Sequence, residues 1–207
     1  ATVFLQFFPV DTSDLEHAVT QTAYAQPSSS YTPFTLPAPR LPIAKDANFV
    51  PVKRDATRLG VMTSAVSAVV IDRKTGTILT EKNREAPRSI GSITKLMTAY
   101  LFLQTKPNLD QTADIQSSDI RLGGVQHLQA NDQVTVRDLL YASLISSDNS
   151  ATAALVRLSG MSQGDFIAKM NETAAALGMK QTQFVDPVGL SAKNTSVVSD
   201  IAILLDR

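Results

Sequence analysis

The residues of this sequence best suited to covalent catalysis are a serine and a lysine three positions apart. Ser92 and Lys95 stand at the start of a largely apolar run that continues to Leu103. A helix that is apolar on most faces is a buried helix, and burial disfavours the charged form of a lysine. Residues i and i+3 share one face of a helix, so we expect the amine of Lys95 to reach the hydroxyl of Ser92. A neutral amine beside a hydroxyl is a general base beside a nucleophile.

The sequence also predicts where the helix that carries this pair begins. Pro87 is a helix breaker, and Ser89 and Ser92 are residues that commonly cap a helix. The S-x-x-K spacing by itself is common enough to arise by chance, so a second element is needed before it indicates a function.

That second element is Ser147-Asp148-Asn149, which lies 55 residues after Ser92. An amphipathic helix is predicted before it, over residues 135–146, where Thr135 and Asp138 have the spacing of a capping box. Another helix is predicted after it, over residues 150–158. Taken alone, the S-D-N cluster is ordinary N-cap chemistry.

The two elements together resemble those of the serine peptidases that bind penicillin. A predicted hairpin over residues 64–81 and the sequence DPVGLS at residues 186–191 extend the resemblance. They are similar to the D-alanyl-D-alanine carboxypeptidases and endopeptidases, the low-molecular-mass penicillin-binding proteins. The implied fold is α+β, of the penicillin-binding and β-lactamase-like transpeptidase type. It would comprise an N-terminal hairpin and a helical subdomain, with the C-terminal sheet strands missing from this chain.

The resemblance also implies a role for each residue of the two elements. Ser92 would attack the carbonyl of the penultimate D-alanine of a peptidoglycan stem peptide, and Lys95 would accept its proton. Ser147 would relay a proton to the departing amine, and Asn149 would bind the substrate amide or Lys95. Asp148 is expected to shape the turn rather than to react. β-Lactam antibiotics would acylate the same serine as inhibitors, and no cofactor or metal is required.

A third element of the family, Lys-Thr-Gly, is expected well downstream of S-D-N. The only such tripeptide here is Lys74-Thr75-Gly76, upstream of Ser92 in the predicted hairpin turn. A glycine in that position supplies a positive φ, so we interpret the tripeptide as turn chemistry and leave Lys74 out of the site.

Two alternatives to a peptidase remain open. A serine β-lactamase shares both elements but normally needs a glutamate in a loop after S-D-N. The only glutamate there is Glu172, within a helix predicted over residues 162–177 and closed by Gly178, which weakens this reading. The other alternative is a truncated domain that binds cell-wall peptide or penicillin without turnover.

Composition excludes several other classes of protein. The formal net charge is zero, so there is no electrostatic argument for nucleic acid or an anionic membrane. The chain has no cysteine, and its only histidines are His17 and His127. A thiol nucleophile is therefore ruled out, and neither a zinc site nor a Ser-His-Asp triad is favoured.

The prolines divide the sequence into two expected domains. Residues 1–60 hold seven of the ten prolines and read as a leader-like, Pro/Ser-rich disordered segment. Within it, Ala23-Tyr24-Ala25 fits a signal-peptidase site, and the first ten residues are too short to span a bilayer. Residues 61–207 are expected to form the peptidase domain, incomplete at its C-terminus. The family resemblance implies a periplasmic or exported protein without a transmembrane segment.

Overall fold

The computed structural model describes residues 50–55, 57, 61–123 and 127–207, and the part of the chain so described mixes helices with short antiparallel strands. The predicted α+β class is confirmed. Nearly all of the leader-like segment, including Ala23-Tyr24-Ala25, lies outside the described residues. The strands are β1 (Ala68–Ile71), β2 (Ile78–Lys82), β3 (Arg88–Ser89), β4 (Thr112–Asp114), β5 (Gln133–Thr135) and β6 (Thr195–Ser196). The helices are α1 (Thr94–Gln104), α2 (Val136–Leu144), α3 (Asn149–Leu158), α4 (Gln163–Leu177) and α5 (Val198–Leu205).

The predicted hairpin is present as β1 and β2, which pair antiparallel. Its turn is closed by Asp72, whose Oδ1 accepts from the backbone amide of Thr75 at 2.8 Å and from the Thr75 hydroxyl at 2.7 Å. Gly76 follows with φ of +70°, the left-handed conformation that glycine adopts without strain. Lys74-Thr75-Gly76 is therefore a turn, as the sequence indicates.

Helix α1 is buried because it lies between two apolar clusters. Ala99 and Phe102 pack into a cluster formed with α2 and α3. Met97 and Leu101 pack on another side of the helix, into a cluster that includes α4 residues and Phe184. Burial on both sides explains why so few polar residues occur along α1, and it places the Lys95 side chain in a region with little water.

The caps of the three following helices agree with the sequence. The side chains of Thr135, Asp148 and Ser162 accept hydrogen bonds from the first turns of α2, α3 and α4, respectively. Gly178 ends α4 with φ of +87°. Each cap satisfies backbone groups that would otherwise lack a partner at a helix end.

The cap expected at Ser89 or Ser92 is absent, and for Ser89 strand pairing is the reason. Ser89 lies in β3 opposite Thr195 in β6, so both are held in extended backbone. A 3₁₀ turn, Gly91–Ile93, leads into α1, and no side chain caps either segment. The last helix likewise begins after Val197 without a side-chain cap, since Ser196 is also in β6 and its hydroxyl bonds to that of Thr182 at 2.7 Å.

Candidate active site

The amine of Lys95 is the centre of the site. The residue is only 2% exposed. Its Nζ lies 3.0 Å from Oγ of Ser92, 2.9 Å from Oδ1 of Asn149 and 2.9 Å from the backbone carbonyl oxygen of Val188. A neutral amine has two N–H groups and one lone pair. If Asn149 and Val188 accept the two N–H groups, the lone pair faces the Ser92 hydroxyl, which is the arrangement that proton removal requires.

Burial lowers the pKa of Lys95 to about 8, from its ordinary value of 10.5. The cause is desolvation, which disfavours the ammonium form. The carboxylates of Asp186 and Asp148 act in the opposite direction and keep the pKa from falling further. With this pKa, about a tenth of the amine is uncharged at pH 7, far more than for a lysine in water.

Ser92 lies in the 3₁₀ turn that precedes α1, and its side chain is exposed. It therefore combines an accessible hydroxyl with a buried base at 3.0 Å. Its backbone amide lies at the N-terminal end of α1, where the helix dipole stabilises negative charge. A turn of 3₁₀ helix keeps Ser92 and Lys95 on one side, so the predicted contact forms although Ser92 is outside the α-helix proper.

Asn149 is the first residue of α3 and is almost completely buried. Its Oδ1 accepts from Lys95, and its Nδ2 donates to the backbone carbonyl of Gly123 at 2.7 Å. The second bond fixes the orientation of the amide, because only the oxygen can then face Lys95.

Asp148 has a structural position beside this amide. Its Oδ1 accepts from the amide of Ala151 at 2.8 Å and its Oδ2 from the amide of His127 at 3.0 Å. Both carboxylate oxygens are thus engaged by backbone groups, as expected for a residue that shapes the turn. The side chain of His127 is exposed and takes no part in the Lys95 hydrogen bonds.

Ser147 has an unusual backbone conformation, with φ of +57°. A left-handed serine costs about 1 kcal/mol or more, and such strain is often found at functional sites. Within the described residues, no hydrogen bond joins its half-buried side chain to Ser92 or Lys95. The structure therefore brings Ser92, Lys95 and Asn149 together directly, with Ser147 two residues before Asn149.

Sequence reasoning missed the contribution of residues 186–191. The Val188 carbonyl is one of the three partners of the Lys95 amine, but a backbone oxygen leaves no signature in a side-chain motif. The D-P-x-G pattern at Asp186 was available as a turn signal. It could have indicated a tight loop, but not its contact with α1.

The other chemically notable residues lie apart from this centre. Glu172 is exposed on α4, and its Oε1 pairs with Nζ of Lys169 at 2.9 Å. A surface ion pair within a helix is no equivalent of the loop glutamate that a serine β-lactamase uses. Among the described residues, no group of three or more His, Cys, Asp or Glu side chains could hold a metal ion.

Comparison with known proteins identifies the family. Residues 54–207 match the model of the D-alanyl-D-alanine carboxypeptidase family, and the chain belongs to that family. A D-alanyl-D-alanine endopeptidase of Pseudomonas aeruginosa is 39% identical over 142 residues, which cover 67% of this chain and 46% of the relative.

Solved structures agree with this assignment. A D-alanyl-D-alanine carboxypeptidase of Francisella tularensis is 31% identical and superposes with a TM-score of 0.67, over 80% of this chain and 42% of that one. Penicillin-binding protein D2 of Listeria monocytogenes, solved with cefotaxime bound, is 32% identical with a TM-score of 0.62, over 72% of this chain and 63% of that one. The chain spans about half the length of the curated relatives it matches, with 46% of the Pseudomonas endopeptidase covered.

Proposed function

We propose that the protein is a serine-type D-alanyl-D-alanine peptidase that cleaves peptidoglycan stem peptides through an acyl-enzyme on Ser92. The observation that carries this proposal is the 3.0 Å contact between an exposed hydroxyl and a buried amine whose pKa is lowered to about 8. Family membership supplies the substrate class. We further propose that residues 61–207 are its peptidase domain.

The first half of the reaction forms an ester. The Lys95 amine takes the proton from the Ser92 hydroxyl while Oγ adds to the carbonyl carbon of the penultimate D-alanine. The backbone amide of Ser92 donates to the resulting oxyanion, a type of interaction whose loss commonly costs about 3 kcal/mol of barrier. Collapse breaks the C–N bond, and Ser147 passes the proton held by Lys95 to the departing amine.

The second half releases the product. Water loses a proton to Lys95 and adds to the ester carbonyl, and collapse breaks the ester and returns a proton to Ser92. Asn149 holds the amine in place through its Oδ1 throughout. Every proton that leaves a substrate is thereby returned to a product or to the enzyme, and no metal or cofactor is needed.

β-Lactams are the proposed inhibitors, because their strained amide presents the same kind of carbonyl to Ser92. The cefotaxime complex of the Listeria relative supports this expectation. Peptidoglycan as the substrate also implies a location in the periplasm or exported cell envelope. Within the described residues, no helix has both the length and the apolar character needed to cross a membrane.

Both kinds of D-alanyl-D-alanine peptidase occur among the relatives, and we favour an endopeptidase. The Pseudomonas endopeptidase and an Escherichia coli endopeptidase, which is 35% identical over 141 residues, support this choice. A carboxypeptidase is the alternative, since a Bacillus subtilis carboxypeptidase is 33% identical over 159 residues. Digestion of cross-linked and of linear pentapeptide muropeptides distinguishes the two.

Fluorescent penicillin is the direct test of the proposed function. The full-length protein should acquire a stable label that peptide mapping places on Ser92, and Ser92→Ala should acquire none. Ser118→Ala is the matched control, because Ser118 is an exposed serine of another 3₁₀ turn and its variant should label normally. Rapid release of hydrolysed drug would indicate a β-lactamase instead, and a folded protein without any label would indicate a non-catalytic domain.

A further inference from the structure

One carboxylate organises the turn that faces the catalytic pair. Oδ1 of Asp186 accepts from the backbone amides of Val188 at 2.8 Å, Gly189 at 2.6 Å and Leu190 at 3.3 Å. Its Oδ2 accepts from the amide of Ser191 at 2.8 Å. Four amides converging on one side chain fix the path of residues 186–191, since each of these bonds is charge-assisted.

The turn meets the start of α1 through backbone atoms. The Val188 carbonyl accepts from Lys95 Nζ at 2.9 Å, and the carbonyl of Pro187 accepts from the Thr98 hydroxyl at 2.6 Å. Gly189 lies so close to the preceding 3₁₀ turn that a Cβ added to it would come within 2.1 Å of the Gly91 carbonyl oxygen. The position of the turn and the position of the site are therefore linked.

A buried asparagine side chain holds the start of this turn. Asn194 is completely buried, and its Nδ2 donates to Oγ1 of Thr94 at 2.9 Å and to the carbonyl of Asp186 at 2.8 Å. Its Oδ1 accepts from the amides of Val185 and Asp186. The backbone on which the Asp186 carboxylate stands is thus anchored to α1 next to Lys95.

We propose that Asp186 is a positioning residue of the active site, whose carboxylate folds the 186–191 turn so that the Val188 carbonyl holds the amine of Lys95 against Ser92. This inference rests on the proposed peptidase function. It adds a role for a residue outside the S-x-x-K and S-D-N elements. It also gives the Val188 carbonyl a function, which is to accept a hydrogen bond that holds the Lys95 amine in place.

The charge of Asp186 has a second consequence, which provides a distinctive readout. Within the described residues, the charged groups that act on Lys95 are Asp186 and Asp148, and both favour the ammonium form. Removing the Asp186 charge therefore lowers the pKa of Lys95 further. The midpoint of the pH–rate profile thus reports the charge of Asp186, whereas the rate at the plateau reports how the turn positions Lys95. A role confined to stability would change the amount of folded protein but not this plateau.

The test is the second-order rate constant for acylation by fluorescent penicillin, measured from pH 5 to 10 in the full-length protein. Asp186→Asn keeps an Oδ1 acceptor and removes the charge, so the midpoint of the pH–rate profile should move to lower pH. Asp186→Glu keeps the charge but displaces the carboxylate, so the midpoint should stay and the plateau should fall by up to about a hundredfold, the cost of misplacing a reacting group by about 1 Å. Asp165→Asn, at an exposed carboxylate of α4, is the matched control and should change neither quantity.

The outcomes separate this inference from the proposed function. Wild-type protein without label on Ser92 would refute the function itself. A labelled wild type with unaltered profiles in both Asp186 variants would overturn only the role of Asp186. If Asp186→Asn does not fold, Asp186→Glu decides the question, because a wild-type plateau in that variant is incompatible with positioning.

Discussion

Nζ of Lys95 and Oγ of Ser92 lie 3.0 Å apart, although one side chain is buried and the other is exposed. A base shielded from water thus faces a nucleophile that a substrate can reach. The hydrogen bond between them connects the apolar interior of the protein to its surface.

The acylation rate should depend on pH through Lys95. Only the neutral amine can accept the proton of Ser92, and its pKa is about 8. The rate constant for penicillin acylation should therefore rise about tenfold per pH unit below pH 8 and level off above it. Stopped-flow labelling from pH 5 to 10 measures this profile. A rate that falls as pH rises through this range would exclude Lys95 as the base.

Lys95→Met should reveal the same pKa as a change in stability. In the wild type, the folded-state pKa of about 8 lies below the unfolded value of 10.5. Between these values the unfolded chain binds more protons, so wild-type stability gains from rising pH. The free energy of unfolding of the wild type minus that of the variant should increase by up to about 1.4 kcal/mol per pH unit from pH 8 to 10.5.

Urea unfolding of both proteins at matched pH values provides the measurement for Lys95→Met. Subtraction removes the contribution of the other lysines, which titrate alike in the two proteins. The difference should be flat below about pH 7, where Lys95 is charged in both states. A difference that declines between pH 8 and 10.5 would contradict the lowered pKa.

Asn149→Asp should slow acylation at neutral pH. It places a carboxylate where the amide oxygen now lies, 2.9 Å from Lys95 Nζ, and an opposite charge at this distance raises the pKa of the amine by about one unit or more. The rate at pH 7 should fall about tenfold, with the profile displaced to higher pH. Asn108→Asp, at an exposed turn, is the matched control. An Asn149→Asp profile that superposes on the wild type would refute the role of the amide.

Gly189→Ala should damage both stability and acylation. Gly189 has φ of +90°, and a Cβ there would lie 2.1 Å from the Gly91 carbonyl oxygen and 3.1 Å from the Ser92 amide. The matched control is Gly160→Ala, which has φ of +76° but no atom within 4 Å of the added Cβ. The control should lose only the conformational cost, about 1 kcal/mol. Gly189→Ala should lose more, together with Ser92 labelling. Equal losses in the two variants, with labelling retained, would show that the close contact is unimportant.

The local features that the sequence predicted correctly depend on side chains near each other in the chain. Ser92 and Lys95 are three residues apart, and the caps at Thr135 and Asp148 act on the next turn of helix. The cap expected at Ser89 failed because this residue pairs with Thr195, across a separation that no local pattern encodes.

In the candidate site, too, some features could be predicted from the sequence, and others depend on contacts between residues far apart in the chain. Its side chains were predicted, Ser92 and Lys95 from their spacing and Asn149 from the family resemblance. The Val188 carbonyl and the Gly189 contact were not, because both arise when residues 186–191 fold back onto α1 from about ninety positions away.

The role of Lys95 as the base for Ser92 depends most directly on the protonation state of its amine. Selective ¹³C and ¹⁵N labelling of lysine, with the Lys95 signal assigned through Lys95→Met, allows NMR titration of this one amine in the folded protein. We expect a midpoint near pH 8, because burial of the amine lowers its pKa to about this value. A midpoint near 10.5, the ordinary value for lysine, would leave almost none of the amine uncharged at neutral pH and would contradict its role as the base for Ser92.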